Sequence, residues 1–122
     1  MKENLLRDKS FAFALRSIKL NQHLINECRE YTISKQVLRS GTSIGANIEE
    51  SVHAQSKLDF VHKLSIAQKE ASETNYWIRL LKESSFIKPN LADSLLSDCL
   101  ELQRLLAASV KTAKRNLEKE RR

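Results

Sequence analysis

Glycine, proline and aromatic residues are scarce in this 122-residue sequence. It contains two glycines and one proline, and Phe, Trp and Tyr together make up 6% of its residues. A β-sandwich of this length would need many more turn residues. Leu, Ala, Lys and Glu are abundant instead, and such residues lose little side-chain freedom in a helix. The composition therefore predicts an all-α chain with few loops.

Long apolar runs are missing as well. No stretch approaches the roughly 20 apolar residues that a membrane-spanning helix requires. The start of the chain carries charges of both signs, and no apolar segment with a cleavage site follows it, so we predict no signal peptide. The length suits a single domain over residues 1–122. We therefore expect a cytoplasmic protein with no membrane partner.

Apolar periodicity predicts four helices, over about residues 7–30, 34–55, 57–84 and 91–119. The third helix has an unbroken heptad pattern from Phe60 to Leu81. Apolar residues of the fourth helix are spread too broadly for packing on one side only. One face of the first helix carries a row of residues at alternating four- and three-residue steps: Phe11, Leu15, Ile18, Gln22 and Ile25.

Helix-capping residues mark three of the predicted helix starts. Thr32 or Ser34 can cap the second helix, and Asn90 can cap the fourth. Ser56, with Asp59 three residues later, matches a capping box for the third helix.

Helices of this length with short connections predict an antiparallel, up-down-up-down four-helix bundle. The double-sided apolar patterns of the third and fourth helices leave surplus apolar surface once such a bundle closes. Exposed apolar patches of that kind mark interfaces. The pattern therefore predicts self-association.

Two glycines lie inside the second helical pattern, Gly41 and Gly45. Each costs roughly 1 kcal/mol relative to alanine in a helix interior. Either the helix breaks near Gly41, or it continues and the glycines let a neighbouring helix approach closely. The apolar period runs through both glycines without a phase shift, which favours the continuous helix.

Residues able to do chemistry are few and scattered. Glu50 and His53 have the E-x-x-H spacing of di-iron bundles, but such sites need two of these motifs and two further glutamates. Cys28 and Cys99 are far apart in apolar patterns, so we expect buried reduced thiols and not a disulfide. No nucleophile turn or phosphate-binding loop is present. We predict no catalytic residue, no metal, no cofactor and no enzymatic activity.

Several charged residues lie in or beside apolar rows. Arg39 of the second helix can pair with Glu70 or Glu73 of the third, which would set the register of the two helices. These residues could equally lie at a subunit seam or in solvent, and the sequence leaves both open.

The net charge of +6 suits an anionic partner. Its excess is concentrated near the end of the fourth helix, where the cations are Lys111, Lys114, Arg115, Lys119, Arg121 and Arg122. Lys111, Lys114 and Arg115 share a helix face and could contact phosphates. The alternative is a solvated helix end whose cations suit the negative end of the helix dipole.

Two segments of the chain closely resemble the bacterial four-helix-bundle family of 23S rRNA intervening-sequence proteins. One runs from Leu38 to Ser51 and reads LRSGTSIGANIEES; the other has Asp59-Phe60 followed by the acidic and aromatic residues up to Trp77. The resemblance extends from about Phe11 to about Leu117. Its signature residues are Arg39, Gly41, Ser43, Gly45, Asn47, Glu70, Glu73 and Trp77.

The resemblance implies a protomer that assembles into a ring-like homopentamer with a central channel. It also implies that Gly41 and Gly45 serve close packing and that Asn47 satisfies a buried polar contact. More distant relatives are the accessory variability determinant proteins of diversity-generating retroelements, in which a basic pentamer binds nucleic acid and a reverse transcriptase. We therefore favour a non-enzymatic oligomer that binds nucleic acid, structured RNA before DNA. The alternative is a protein-interaction scaffold without nucleic-acid contact.

Overall fold

Four α-helices make up the protein, as the composition predicts. The computed structural model describes residues 2–122, with side chains from residue 5 onward. The helices are α1 (Lys2–Asn26), α2 (Ile33–Val52), α3 (Lys57–Glu83) and α4 (Pro89–Arg121). No strand occurs within the described residues. Over that range, too, every helix is too short or too polar to cross a membrane.

Each helix packs on the next one along the chain, and α1 also contacts α4, less extensively. Contacts between neighbours run in opposite order along the two helices. Arg7 near the start of α1 pairs with Glu49 near the end of α2, at 2.7 Å. Asn21 near the end of α1 donates to the carbonyl of Ser34 at the start of α2, at 3.2 Å. The four helices thus enclose one core.

The core consists mainly of aliphatic side chains from all four helices. Each fully buried Leu, Ile or Phe stabilises the fold by about 1.5–3 kcal/mol relative to an exposed one. The largest apolar side chains that are almost fully buried are Phe13, Leu24, Val37, Ile44, Leu64, Ile78, Leu81, Leu102 and Leu106. The heptad row of α3 faces this core, which agrees with its sequence pattern.

The apolar row of α1 lies on the outside of the bundle. Leu6, Phe13 and Leu20 face the core instead. Four members of the outer row remain exposed: Phe11, Leu15, Ile18 and Ile25. The reason lies in α2, whose glycines bring it close to α1 and leave room only for small residues such as Ser10 and Ser17. Surplus apolar surface, expected on the third and fourth helices, is therefore most extensive on α1.

Helix α1 is displaced relative to its predicted span of about 7–30. It is already helical at Lys2, and the burial of Leu6 extends its packing toward the start of the chain. It ends at Asn26 because the backbone of Arg29 turns into the left-handed region, with φ of 53°. The Glu30 N–H then donates to the Leu24 carbonyl at 2.9 Å and closes the helix end.

Helix α2 ends at Val52 and not near residue 55. The N–H groups of His53 and Ala54 donate to carbonyls only three residues back, which tightens the last turn. The chain then enters the capping box of α3. There Ser56 Oγ accepts from the Asp59 N–H at 3.0 Å, which confirms the predicted cap.

The other two predicted caps are wrong in detail. Thr32 precedes α2 but makes no side-chain capping bond. The Glu30 carboxylate accepts from the Ser34 N–H instead, at 2.7 Å. Helix α4 starts at Pro89 after Lys88, so Asn90 lies inside its first turn. Proline suits that first position because its missing N–H would have no partner in the helix.

Candidate interfaces on the bundle surface

The signature segment of α2 holds the two close-approach glycines. Helix α2 continues without a break through Gly41 and Gly45, which confirms the favoured alternative. A Cβ atom added at Gly41 would lie 2.8 Å from Ser17 Cβ of α1. One added at Gly45 would lie 3.3 Å from the Ser10 carbonyl oxygen. Both glycines therefore serve the packing of α1 on α2 within one chain.

Ser43 and Asn47 make their recorded hydrogen bonds within α2. Ser43 Oγ donates to the Arg39 carbonyl at 2.6 Å, and Asn47 Nδ2 donates to the Ser43 carbonyl at 2.8 Å. Both residues are half-buried. Their side chains thus support the helix backbone.

Arg39 joins α2 to α3 by pairing with both candidate glutamates. Its Nη1 lies 3.1 Å from Glu70 Oε2, and its Nη2 pairs with Glu73. Trp77 Nε1 donates to the same Glu73 carboxylate at 3.1 Å. Of the two possibilities left open by the sequence, the structure therefore has the bridge between helices. We call Arg39, Glu70 and Glu73 the α2–α3 bridge.

The cations near the end of α4 form an exposed group that we call the basic end: Lys111, Lys114, Arg115, Lys119, Arg121 and Arg122. Within the described chain, Lys111, Lys114 and Arg115 form no ion pair. Arg122 lies 4.0 Å from Glu118, at the limit of an ion pair. A shallow concavity runs between the side chains of the first four members, Glu118 and Arg122.

Several cations elsewhere on the bundle pair with acidic residues of neighbouring helices. Lys9 and Arg16 of α1 pair with Glu101 and Asp98 of α4, at 3.0 and 2.7 Å. Lys82 of α3 pairs with Asp93 of α4 at 2.8 Å, and this partner raises the pKa of the lysine. The basic end differs because none of its cations pairs with an acidic residue of another helix in the described part of the chain. It is therefore a site where unneutralised positive charge is concentrated.

The outer row of α1, Phe11, Leu15, Ile18, Gln22 and Ile25, forms an apolar surface that we call the α1 stripe. Phe11 is 68% exposed and Leu15 is 49% exposed. Beside Phe11 lies a hollow between the two helices, lined by small residues such as Ala14 and Gly45 and by the paired Arg7 and Glu49. The periodicity of the stripe was visible in the sequence, but its outward direction was not.

The residues considered for chemistry lie apart from one another in the described chain. Both cysteines are free thiols. Burial raises the pKa of the Cys99 thiol to about 12, and the thiol donates to the Ala71 carbonyl at 3.3 Å. Glu50 pairs with Lys63 at 3.0 Å. Across the described residues, no three His, Cys, Asp or Glu side chains converge as metal ligands would.

The chain is similar to a known protein family and to a solved structure. The family model described as 23S rRNA-intervening sequence protein matches residues 2–108. One solved structure is a protein of unknown function from the S23 ribosomal protein family of Bacteroides thetaiotaomicron. It is 49% identical with a TM-score of 0.90, over 91% of this chain and 99% of that chain. No curated protein matches significantly. The whole basic end lies beyond residue 108, outside the family match.

Proposed function

The chain belongs to the 23S rRNA-intervening sequence protein family, and on that premise we propose that it is a non-enzymatic, oligomeric bundle protein that binds structured RNA through the basic end. The observation that carries this proposal is the exposure of all six cations on one helix end. Three of them, Lys111, Lys114 and Arg115, lack an ion pair within the described chain. We also propose that the protein acts in the cytoplasm, because structured RNA is found there.

The chemistry of the basic end suits phosphate oxygens. Residues three and four apart on a helix are neighbours, so Lys111, Lys114 and Arg115 project from one face. Contacts of lysine and arginine with phosphates release counterions, and this release drives binding that weakens steeply as salt rises. The dipole of α4 favours the same cations, but only over its last turn. Lys111 and Lys114 lie further back along the helix, so the dipole does not account for them.

The protomer that we propose is an antiparallel, up-down-up-down bundle, and the assembly is a ring-like homopentamer. The opposite order of contacts between successive helices supports the antiparallel arrangement. The exposed α1 stripe supports association, since contiguous apolar surface of this kind marks an interface. The number of five follows from family resemblance alone.

The state of the ionisable side chains supports a binding role without catalysis. Cys99, with its pKa raised to about 12, is not a thiolate nucleophile near neutral pH. Glu50 is held by Lys63 and is not left free as a base beside His53.

Gel-shift titration against a structured rRNA fragment tests the proposal, at salt concentrations from about 50 to 200 mM. We compare the native chain with the triple variant Lys111→Gln, Lys114→Gln and Arg115→Gln. The matched control carries Lys35→Gln, Lys69→Gln and Lys88→Gln, which removes the same charge from exposed residues elsewhere. Each lost phosphate contact lowers the salt slope by about 0.7 to 0.9. The first variant should therefore lose about 2 units of slope and at least tenfold in affinity, and the control should lose much less.

Equal weakening by the two variants would contradict the assignment to the basic end. No shift at the lowest salt would contradict RNA binding altogether. Tighter binding to a DNA duplex of equal length would replace RNA by DNA as the ligand.

The second candidate is a protein-interaction scaffold, favoured by the exposed apolar side chains. Under this alternative the basic end is immaterial, and pull-down from the native cell recovers one protein, a reverse transcriptase or another partner. A pull-down dominated by RNA and lost on nuclease treatment would favour the first candidate.

A further inference from the structure

A groove runs between the end of α1 and the start of α4, where these helices pack less extensively than the other neighbours do. It consists of two adjoining hollows that share the side chains of His23 and Leu91. The larger hollow lies against the loop 84–88 and has a volume of about 720 Å³. The smaller one continues along the two helices and has a volume of about 320 Å³. Sites for small molecules have volumes in this range. We call the two hollows together the α1–α4 groove.

The floor of the α1–α4 groove is apolar. In the larger hollow, Ile87 is buried and Phe86 is 36% exposed. Leu20 of α1 and Leu95 of α4 line the smaller hollow, and both are buried. Leu91, which is 36% exposed, connects the two parts. Burial of the apolar part of a ligand against this floor is therefore favourable.

The rim of the groove is basic. Five basic side chains line it and no acidic one does: Arg16, Lys19, His23, Lys82 and Lys88. Arg16 and Lys82 pair with aspartates of α4, but Lys19 and Lys88 form no ion pair in the described chain. The first three residues of α4 also line the larger hollow, so the positive end of this helix dipole adds to the same potential. Charge complementarity therefore favours an anionic ligand with an apolar body.

We propose that the α1–α4 groove binds a medium-chain alkyl carboxylate. The carboxylate lies at the start of α4, between His23 and Lys88. The alkyl chain lies on Leu91 and continues over Leu95 and Leu20. This inference goes beyond the proposed function and depends on neither RNA binding nor association.

The length of the groove determines the length of the chain. Leu91 and Asp98 are seven residues apart on α4, which is about 10 Å along the helix axis. An extended alkyl chain advances about 1.25 Å per carbon, since its C–C bonds are about 1.5 Å long. Arg16 and Asp98 pair at 2.7 Å, join α1 to α4 and close the groove at this end. A chain of about eight carbons therefore spans the distance from Leu91 to that pair.

Isothermal titration calorimetry of the native chain with octanoate, without nucleic acid, tests the proposal. Hexanoate and decanoate give the dependence on chain length, and octyltrimethylammonium gives the dependence on the charge of the head group. Each buried methylene should tighten binding about fourfold, the equivalent of about 0.8 kcal/mol. Octanoate should therefore bind at least tenfold more tightly than hexanoate. Decanoate should gain little over octanoate, because its last carbons lie beyond the Arg16–Asp98 pair, and the ammonium ligand should not bind.

Two substitutions locate the site. Lys88→Glu reverses the charge beside the carboxylate, and Leu91→Glu places a like charge under the chain. Lys69→Glu and Leu100→Glu are the matched controls, because Lys69 and Leu100 are exposed residues outside the groove. Each groove variant should weaken octanoate binding about tenfold or more, as expected for loss of a charge-assisted hydrogen bond or of a well-buried chain. The controls should bind as the native chain does, and circular dichroism establishes that all four variants fold.

Four results would each overturn the proposal. The first is equal weakening by the groove variants and their controls, or no saturable binding of octanoate. The second is an affinity that rises from octanoate to decanoate as steeply as from hexanoate to octanoate, which would indicate adsorption on an open apolar surface such as the α1 stripe. The third is equal binding of octanoate and the ammonium ligand, which would exclude a role of the basic rim. The fourth is binding of octanoate only at dilutions at which light scattering shows monomers, which would assign the groove to a second copy of the chain.

Discussion

Small residues on facing helices set the distance between α1 and α2. Ser10 and Ser17 of α1 are buried and lie against Gly45 and Gly41 of α2. Each serine hydroxyl donates to a carbonyl of its own helix, so its polarity is satisfied without a partner on α2. The glycines are retained for space, because no positive φ occurs at either position.

Replacing the two glycines by alanine should have different effects. At Gly41 the new Cβ would lie 2.2 Å from Ser17 Oγ and 2.8 Å from Ser17 Cβ, so α1 must shift. Overpacking of this kind costs about 1–3 kcal/mol, which exceeds the roughly 1 kcal/mol that alanine gains in a helix. At Gly45 the nearest atom is 3.3 Å away, and the two effects nearly cancel. Urea unfolding should therefore show a lower free energy of unfolding for Gly41→Ala and little change for Gly45→Ala. Equal stability of the two variants would contradict the close approach of α1 at Gly41.

At the scale of elements, α2 and α3 are joined by polar contacts as well as by the core. The α2–α3 bridge lies at the surface. Beneath it, Thr74 Oγ1 donates to Ser40 Oγ at 2.8 Å, and both residues are buried. A buried hydrogen bond with fixed partners disfavours any slip of one helix along the other. Together the two features hold α2 and α3 in one register.

Arg39→Ala should destabilise the chain more than an ordinary surface substitution. It leaves Glu70 and Glu73 close together without their shared cation, and Glu70 is half-buried. We expect the free energy of unfolding to fall by about 1 kcal/mol, which is the upper end of what exposed ion pairs contribute to stability. Lys9→Ala, which breaks the single pair with Glu101, is the control and should cost less than about 0.5 kcal/mol. Thermal unfolding of the two variants at low salt measures both changes in stability. If Arg39→Ala lowers the stability no more than Lys9→Ala does, the α2–α3 bridge contributes little.

At the scale of the whole molecule, the surfaces of the two proposed roles, association and RNA binding, lie in different places. The α1 stripe lies along the length of the first helix, whereas the basic end lies where α4 finishes. Association through the α1 stripe would multiply the number of basic ends in one particle. Several weak phosphate contacts then act together, and their combined affinity exceeds that of one chain.

Assembly should make thermal stability depend on protein concentration. A partner that binds only the folded chain stabilises it by mass action, so the Tm of the native protein should rise with concentration. Phe11→Glu should abolish this dependence, because it removes the contact and leaves the core intact. Scanning calorimetry at concentrations a hundredfold apart makes the measurement. A native Tm that is independent of concentration would contradict association in this range.

The number and type of the helices followed from the sequence, because they depend on local chemistry. Periodicity, the paucity of turn residues and the Ser56 cap act over a few neighbouring residues. The same holds for the passage of α2 through Gly41 and Gly45, where the apolar period is unbroken. The signature of α2 was sufficient to indicate the family, and the match over residues 2–108 confirms it.

Only the tertiary structure decided which surfaces face inward. Helix α1 is apolar on two sides, and its periodicity cannot say which side meets α2; the close approach at Gly41 and Gly45 selects Ser10 and Ser17 and turns Phe11 outward. The double pairing of Arg39 likewise depends on which helices lie side by side. So does the absence, within the described chain, of ion pairs from the basic end to other helices. Periodicity defines the faces of a helix, and the neighbouring helix determines which face is buried.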